Sequence, residues 1–350
     1  MRAGRGVRRP GAKAARAGEF GVIDAFLAPF GLGRDGGSSA RDGVLLGPGD
    51  DCAQLRPARG QVLVATTDAV LDGVHFDLRR CTPDDAGWKA LAVNLSDLAA
   101  AGARPRWFLC ALGVPKGARP GQSARRMGAG MAALAAAADC ALVGGNVTAA
   151  LQWTLTITAL GEARSPLSRA GGRPGDLLVL SGTLGAAALG LRLLQRRRRP
   201  AGAEALAAVA AQQRPQPLWQ AGLAAAGLAS AAIDVSDGLL ADLGHLCDRS
   251  GCGALVDCAA LPRLAAVARA EAADARRGAH PHALSLAGGE DYALLLAVAP
   301  ARRRRLLAAL ERAGSPGAVI GRLEATRGLR LTEAGRALPL PARAGFDHFA

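Results

Sequence analysis

"AIDVSDGLLADL", residues 232–243, passes from a strand pattern to a helix pattern within a few residues. The apolar strand ends near Asp234, and the helical spacing begins just after Ser236 and Asp237. Ser236 or Asp237 could simply be a helix N-cap, but a cap does not explain why Asp234 joins them. A helix N-terminus attracts phosphate, and carboxylates beside it can hold the metal that accompanies phosphate. The turn is therefore a candidate binding site.

The same alternation of strands and helices continues along the chain and predicts an α/β (α+β) fold. The predicted strands are 43–47, 61–67, 107–115, 140–145, 153–162, 177–182, 231–235, 251–257 and the run ending at 298. The predicted helices are 18–30, 88–101, 122–138, 183–194, one beginning near 238, and 263–276. A basic, proline-bearing region at 196–217 is interpreted as an insertion between helices.

The pattern changes at a Gly/Pro turn close to residue 165, which predicts a domain boundary there. We therefore expect a disordered basic tail at 1–17, an N-terminal domain at 18–165 and a C-terminal domain at 166–350. A chain of 350 residues is long enough for two ordinary domains, each with its own core.

The composition of the chain indicates its cellular compartment. Hydrophobic residues make up 50% of the chain, yet no apolar run reaches the roughly 18 residues that a membrane span needs. The N-terminus lacks the apolar stretch of a secretory signal. Seven cysteines at irregular spacings form neither a disulfide framework nor a paired metal signature. We therefore expect a cytoplasmic protein with no membrane partner.

The net charge of +14 is concentrated in two segments. Residues 1–17 carry six basic side chains and residues 196–199 carry four, and only three of the 43 basic residues are lysine. Nucleic-acid surfaces usually spread basic residues along one face or interleave them with aromatics, which are 3% here. We therefore expect no nucleic-acid partner. A catalytically silent nucleic-acid-binding protein stays as an alternative, although clustered carboxylates would repel phosphate.

Polar side chains gather at two places in the N-terminal half. Thr66, Thr67 and Asp68 come at the predicted end of a strand, where a site would rest on a rigid element. In the helix "KALAVNLSDLAAAGA", Asn94 and Asp97 lie three residues apart along the border of an apolar stripe. Asn, Ser and Asp are unfavourable inside helices. A functional role and interhelical hydrogen bonds both remain possible readings.

Three further stretches carry the same kind of residue. "LLGPGDDCAQL" sets Asp50 beside Asp51, and "GGEDY" sets Glu290 and Asp291 in a turn before a strand. "LVGGNVT" places Gly145 after an apolar run, where backbone can approach a phosphate closely. Any one of these motifs could be a cap or a turn. Together they place at least six carboxylates at loop or element ends.

This donor set predicts the chemistry. Hard oxygen ligands without a Cys/His cluster favour magnesium, which commonly binds through a few carboxylates and substrate phosphates. The chain has no G-x-x-x-x-G-K-[ST] sequence, and it has neither H-R-D nor D-F-G. P-loop enzymes and protein kinases are therefore excluded. The sequence predicts phosphoryl transfer from a nucleotide by another architecture.

The motifs in this order resemble those of the thiamine-monophosphate kinase family. The matching stretches span residues 18–349 and are "GEF", "GDDCA", "TTDAVLDGVHF", "KALAVNLSDLAAAGA", "GG-(N)-x-T", "SRAGGRPGD", "IDVSDGL-x-DLGH", "GGEDY" and "GFDHF". The wider superfamily includes AIR synthetase, FGAM synthase, selenophosphate synthetase and a hydrogenase-maturation protein. "DGVHF", "GGEDY" and "DHF" favour the thiamine branch, and another ATP-dependent member of the superfamily is the alternative.

The resemblance implies ATP-dependent phosphorylation of thiamine monophosphate to thiamine diphosphate with release of ADP, the last step of thiamine diphosphate biosynthesis. It implies an N-terminal ATP- and magnesium-binding domain whose sheet pairs with that of a second subunit in a homodimer. It also implies a C-terminal α/β domain, with ATP and several Mg²⁺ ions between the two.

The resemblance also assigns site residues by motif. The implied metal ligands are Asp51, Thr66, Thr67, Asp68, Asp97, Asn146, Asp234 and Asp237, with Asp50 close by. The implied nucleotide contacts are Gly145, Asn146, Arg169 and Ser236. The implied contacts to thiamine monophosphate are His75, Glu290 and Phe346. Taken alone, His75 would be a structural or surface histidine. No general base is expected, because the attacking phosphate oxygen is already anionic.

Asn146 departs from the family pattern, which usually has aspartate there, and the arginine that often follows is also missing. An amide oxygen can coordinate magnesium but adds no negative charge. We predict that Asn146→Asp lowers the magnesium concentration for half-maximal activity by about fivefold or more, since an added charge beside a cation contributes at least about 1 kcal/mol. Initial rates measured across a magnesium titration test this. An unchanged magnesium dependence would refute the inference.

Overall fold

The structure is a computed structural model that describes residues 19–33, 43–48, 52–116, 120–196 and 200–346. These residues form a four-stranded sheet, a seven-stranded sheet and a two-stranded ribbon, with helices packed on the two larger sheets. The predicted tail at 1–17 and the carboxylates Asp50 and Asp51 lie outside the described residues.

The N-terminal half is built around the four-stranded sheet. Its helices are α1 (Glu19–Leu27), α2 (Pro83–Ala100) and α3 (Pro120–Ala137), with a 3₁₀ turn at Ala28–Phe30. Its strands are β1 (Val44–Leu46), β2 (Gln54–Leu55), β3 (Val62–Leu71), β4 (Arg104–Pro115), β5 (Ala141–Ala150) and β6 (Thr154–Ala163). The strand order is β3-β6-β4-β5, in which β4 and β5 run parallel and the other neighbours run antiparallel.

Strand β6 shows why the helices lie on one face of this sheet. Leu155, Ile157 and Ala159 are buried, whereas Thr156 and Thr158 between them are half-exposed. This period of two gives one apolar face and one polar face. The apolar face packs against α2 and α3, and the β1–β2 ribbon packs on part of the other face, against Trp107, Ala141 and Val143.

The structure corrects two predicted element ends in this half. Strand β3 pairs with β6 without interruption as far as Leu71, so Thr66, Thr67 and Asp68 lie within a strand and not at its end. Gly145 likewise lies inside β5, paired with Cys110 of β4. In both cases the ladder of backbone hydrogen bonds continues past the residues at which the sequence pattern predicts the end of the strand.

Helix α2 begins five residues before the predicted start at residue 88. Thr82 and Asp85 form a capping box in which each side chain accepts from the other residue's backbone N–H, and Pro83 occupies the first turn. This arrangement satisfies N–H groups that the helix itself leaves unpaired. The sequence "TPDD", residues 82–85, carries this helix-start pattern.

The C-terminal half contains the seven-stranded sheet. Its strands are β7 (Leu177–Ser181), β8 (Ala231–Val235), β9 (Gly253–Asp257), β10 (Ala293–Val298), β11 (Gly317–Glu324), β12 (Gly328–Glu333) and β13 (Arg336–Leu338). Its helices are α4 (Ala186–Leu194), α5 (Ala203–Gln213), α6 (Trp219–Ala225), α7 (Leu239–Ser250), α8 (Ala265–Ala275), α9 (Ala283–Ala287) and α10 (Arg303–Arg312), with 3₁₀ turns at Cys258–Ala260 and Pro300–Arg302. Helix α5 lies in the region that was interpreted as an insertion, and it packs along α4.

The strand order of this sheet is β13-β12-β9-β11-β7-β10-β8. Strands β9 and β12 run parallel, and the other neighbours run antiparallel. Every residue of β10 is buried, because α7 covers one face of the sheet while α6 and α10 cover the other. The alternation of helices and strands is confirmed, and the mainly antiparallel pairing makes the fold α+β in detail.

Helix α2 contacts both halves. It packs on β3 and β6 of its own sheet and against α6 and β8 of the C-terminal half. Leu91, Leu95 and Leu98 are fully buried, which confirms the predicted apolar stripe. Among the described helices, none is long and apolar enough to cross a membrane.

Two glycines set how closely α2 approaches α3. A Cβ at Gly87 would lie 1.8 Å from the Met127 carbonyl oxygen, and a Cβ at Gly130 would lie 1.8 Å from the Asp84 carbonyl oxygen. The two helices therefore touch backbone to backbone. Any side chain at either position would force them apart, and with them the residues that α2 carries.

We predict that Gly130→Ala lowers the free energy of unfolding by about 1 to 3 kcal/mol, because the added methyl group overpacks this contact. Chemical denaturation measures the change. Gly121→Ala in the same helix is the matched control, since its Cβ would meet Ala25 Cβ at an ordinary 3.8 Å. Equal effects of the two substitutions would contradict the prediction.

Candidate active site

A cleft of about 510 Å³ lies between the two halves. Residues from β3, the turn after it and α2 form one wall, and residues from the C-terminal half form the other. Nine of the predicted site residues line it: Asp68, His75, Asp97, Arg169, Asp234, Ser236, Asp237, Glu290 and Phe346. The structure thus brings residues that are more than 250 positions apart in sequence into one pocket.

Two carboxylates of the N-terminal half meet at one end of the cleft. The Asp68 and Asp97 carboxyl groups lie within hydrogen-bond distance of each other, and Thr66 Oγ1 donates to Asp97 Oδ2 at 2.5 Å. Burial, followed by the charge of Asp97, raises the pKa of Asp68 well above its usual range. The pair therefore carries repulsion that a proton or a cation would relieve.

Asp234 brings a third carboxylate from the C-terminal half. Its side chain is buried at the end of β8 and accepts a hydrogen bond of 2.7 Å from Ser96 Oγ of α2. Burial and the nearby charge of Asp97 raise the pKa of Asp234 to about 7, although the Ser96 bond opposes this. The Ser96–Asp234 bond joins the two halves beside the acidic cluster.

The acidic cluster fits a hard divalent cation in donor type. Its side chains offer carboxylate and hydroxyl oxygens, and its mutual repulsion is the state that a bound cation stabilises. Among the described residues, no three His, Cys, Asp or Glu side chains already surround one point as a metal site would. Magnesium needs few direct protein ligands because it keeps waters and binds nucleotide phosphates. Asp51 lies outside the described residues.

Asp242 fixes the turn that holds Ser236 and Asp237. Its Oδ2 accepts from the backbone N–H groups of Ser236, Asp237 and Gly238 at 3.0, 3.1 and 3.1 Å. Gly238 has φ +128°, a conformation that other residues rarely adopt. The carboxylate therefore caps the start of α7 from within the helix, and it holds Ser236 and Asp237 against the cleft.

A second group of residues lines the same cleft. The backbone N–H of Leu71 donates to His75 Nδ1 at 3.2 Å, which places the proton of the neutral ring on Nε2. Lys89 Nζ lies 2.6 Å from Glu290 Oε1 and donates to the His75 carbonyl oxygen at 2.8 Å. The backbone N–H of Phe346 donates to the Asp237 carbonyl oxygen at 3.0 Å, and its ring is exposed.

Three predicted site residues lie away from this cleft. Thr67 Oγ1 donates to the Ile157 carbonyl oxygen at 2.9 Å and lies 3.2 Å from Thr158 Oγ1, so its hydroxyl serves the opposite face of the sheet from Thr66. Gly145 and Asn146 are exposed on β5, the far edge strand. A Cβ at Gly145 would lie 2.0 Å from the Cys110 carbonyl oxygen, so the neighbouring strand already requires glycine.

Asn94 and Asp291 also have structural partners. Asn94 is fully buried rather than at the border of the apolar stripe, and its Nδ2 donates to the Ala90 carbonyl oxygen at 3.1 Å. Asp291 accepts from the backbone N–H groups of Gly185 and Ala187 at 2.6 and 3.1 Å, so it caps the start of α4. The Asp291 contacts match the helix cap that the sequence left open, whereas the Asn94 bond lies within α2 and is not the interhelical bond of the alternative reading.

Sequence reasoning missed Lys89, Ser96 and Asp242 as contributors to the site. Lys89 could have been noticed because lysine is rare in this arginine-rich chain and here stands in an apolar helix. Ser96 was seen as an unfavourable helix residue, but its partner is 138 positions away. Asp242 gave no signal beyond an acidic residue in the first turn of a helix.

We predict that, with EDTA present, Asp234→Asn raises the melting temperature at pH 8 by a few degrees, because it removes a buried charge next to Asp97. The raised pKa of Asp234 means that the folded state binds its proton below about pH 7, whereas the unfolded chain does so only below about 3.8. The destabilisation is therefore present above pH 7 and is relieved as the pH falls towards 4. Calorimetry at pH 8 and pH 5 should show the gain shrinking at the lower pH.

The exposed Asp248 is the control position for this measurement. Asp248→Asn should leave the melting temperature within about 1 °C, the usual range for a surface substitution. Lower stability of Asp234→Asn than of the parent at pH 8 would contradict the proposed repulsion.

Comparison with known proteins assigns the chain to a family. Two family models match it: AIR synthase related protein, N-terminal domain, over residues 49–163, and AIR synthase related protein, C-terminal domain, over residues 173–333. The thiamine-monophosphate kinase of Salmonella typhimurium is 39% identical over 337 residues, covering 95% of this chain and 98% of that protein. That of Mycobacterium tuberculosis is 37% identical over 282 residues, covering 79% and 80%.

Solved structures agree. Thiamine-monophosphate kinase from Stenotrophomonas maltophilia K279a superposes with a TM-score of 0.77 at 38% identity, covering 91% of this chain and 98% of that one. "AaThiL complexed with AMPPCP and TMP" superposes with a TM-score of 0.72 at 29% identity, covering 97% and 100%. The chain therefore belongs to the thiamine-monophosphate kinase family of AIR synthase related proteins.

Proposed function

We propose that this chain transfers a phosphoryl group from ATP to thiamine monophosphate, giving thiamine diphosphate and ADP. The observation that carries the proposal is the cleft in which carboxylates of both halves, Asp68, Asp97, Asp234 and Asp237, stand beside His75 and Glu290. Relatives that cover nearly the whole chain are named for this kinase activity. A related structure holds AMPPCP, an ATP analogue, together with TMP.

The chemistry requires two anions to meet and needs little acid–base catalysis. The attacking group is a phosphate oxygen that is already ionised, so no side chain has to remove its proton. Positioning and electrostatic stabilisation then supply the rate enhancement. Arg169 brings a positive charge to the cleft, and the start of α7 lies beside Ser236 and Asp237.

We infer that Mg²⁺ is the cofactor, held by Asp68, Asp97, Asp234 and Asp237 together with the Thr66 hydroxyl, and Asp51, which lies outside the described residues, stays a proposed ligand by its motif alone. Bound magnesium would supply charge neutralisation for the nucleotide phosphates. The raised pKa of Asp68 and of Asp234 supports this, because clustered carboxylates stay ionised at neutral pH most readily beside a cation. Thr67 and Asn146 stay proposed metal ligands, and Gly145 and Asn146 stay proposed nucleotide contacts, by their motifs alone.

The residues His75, Glu290 and Phe346 of the cleft suit the ring end of the substrate. His75 offers a ring N–H from Nε2, Glu290 offers a carboxylate, and Phe346 offers an exposed aromatic face. Thiamine monophosphate carries a cationic thiazolium and an aminopyrimidine, which such groups recognise by charge, hydrogen bonding and stacking. Val74 and Leu191 add apolar surface between them.

We propose a domain division near residue 165 and a homodimer formed through the four-stranded sheet. The two large sheets fall on either side of that position. The face of the first sheet opposite α2 exposes Leu63, Ala65, Ala69 and Ala111, which suits burial against a second copy. Sedimentation as a monomer at micromolar concentration would contradict the dimer.

A cytoplasmic location is part of the proposal. All seven cysteines of the chain lie in the described part and carry free thiols. Free thiols are typical of a reducing compartment, and ATP is made available there as the phosphoryl donor.

Phosphorus NMR of the purified protein with ATP, magnesium and thiamine monophosphate tests the proposal. We expect thiamine diphosphate and ADP to appear together, and we expect Asp97→Asn to lower the rate at least about a hundredfold, as loss of an electrostatic group in the site does. That variant also controls for contaminating kinases. Formation of AMP, or no product at high magnesium, would refute the proposed reaction.

A further inference from the structure

Lys89 is a buried cation that connects the two residues proposed to receive the ring end of the substrate. Its side chain is 1% exposed, and its ammonium contacts the Glu290 carboxylate at 2.6 Å and the His75 carbonyl oxygen at 2.8 Å. Resting on the proposed function, we propose that Lys89 is a positioning residue: it holds Glu290 and His75 in the arrangement that binds thiamine monophosphate.

The His75 side of this contact is a tight turn at the end of β3. The Gly73 N–H donates to the Phe76 carbonyl oxygen at 2.7 Å, and the Leu71 N–H donates to His75 Nδ1 at 3.2 Å. The turn therefore orients the imidazole from one side. Lys89 fixes the backbone of the same residue from the other side, because a charged donor to a carbonyl oxygen makes a strong hydrogen bond.

The Glu290 side of the contact needs support. Glu290 has φ +68°, an unfavourable conformation for a residue with a side chain. Its N–H donates to the Ser236 carbonyl oxygen at 2.6 Å, and its second carboxylate oxygen receives a 3.4 Å contact from Gln212 Nε2. The ion pair with Lys89 offsets the backbone cost and directs the carboxylate towards the cleft.

Lys89 acts through these neighbours and not on the substrate itself. Its side chain is 1% exposed and its ammonium already faces two acceptors, which leaves it little surface for a ligand in the smaller pocket of about 260 Å³ that it borders. Because α2 belongs to the N-terminal half and Glu290 to the C-terminal half, the contact also spans the cleft.

Lys89 lies on the same helix, α2, as Asp97. Lys89 and Asp97 are eight residues apart, which is about 12 Å along a helix. One rigid helix thus carries both Asp97 of the acidic cluster and Lys89, which holds Glu290 and His75.

Substitution of Lys89 should have different effects on the kinetics if its ion pair is purely structural than if Lys89 is a positioning residue. Loss of a structural contact lowers stability, and it affects both substrates or neither. Loss of a positioning contact raises the KM for thiamine monophosphate while the KM for ATP and kcat change much less.

The test compares the intact protein with Lys89→Met, Glu290→Gln and the double variant by steady-state kinetics. We expect Lys89→Met to raise the KM for thiamine monophosphate about tenfold, within the range of coupling between contacting side chains, and to change the KM for ATP less than about twofold. In the double variant the rise in KM should be smaller than the product of the two single rises, because both substitutions remove the Lys89–Glu290 contact and only Lys89→Met removes the contact with His75. Lys116→Met, the same change at an exposed lysine, is the matched control and should leave both constants unchanged.

Several outcomes would overturn the inference. Unchanged KM for thiamine monophosphate in Lys89→Met, equal rises for both substrates, or full additivity in the double variant would each do so. If Lys89→Met does not fold, Lys89→Arg keeps the charge but moves the donor, and a wild-type KM for thiamine monophosphate in it would count against the proposal. An inactive parent protein would instead refute the proposed function itself.

Discussion

The repulsion among Asp68, Asp97 and Asp234 is the constraint on which the rest of the architecture depends. Three carboxylates of like charge are costly to hold together, and burial with the nearby charge of Asp97 raises the pKa of Asp68 and of Asp234. The fold keeps them in place through two hydrogen bonds: the Thr66 hydroxyl donates to Asp97, and the Ser96 hydroxyl donates to Asp234. The cluster therefore keeps its arrangement although its members repel one another.

Holding such a cluster requires rigid elements from both halves. Asp68 lies within a fully paired strand, Asp97 lies on a helix packed backbone to backbone against α3, and Asp234 ends a buried strand. Rigid elements place side chains more precisely than loops do. Lys89 serves the same purpose for Glu290, whose own backbone is unfavourable. Stability is thus used to maintain two locally unfavourable arrangements.

The sequence predicted the element types and nine of the residues that line the cleft, because strand and helix periods and short acidic motifs are local signals. It predicted Asp234, Ser236 and Asp237 at a strand–helix turn, and the structure places them there. It could not predict that β3 continues past Thr67 to Leu71 or that the Thr67 side chain lies on the opposite face from Thr66, since strand pairing is decided by a partner about ninety residues away. Lys89 and Ser96 escaped for the same reason: their roles lie in contacts with the other half of the chain.

The double packing of α2 has a consequence for how the molecule comes apart. Its apolar stripe is covered by one sheet and its C-terminal end rests on α6 and β8 of the other half. If either half unfolded alone, it would expose surface that the other half normally buries. We therefore expect the two halves to melt in a single cooperative transition, and a ligand that binds in the cleft between them to protect both against proteolysis at once.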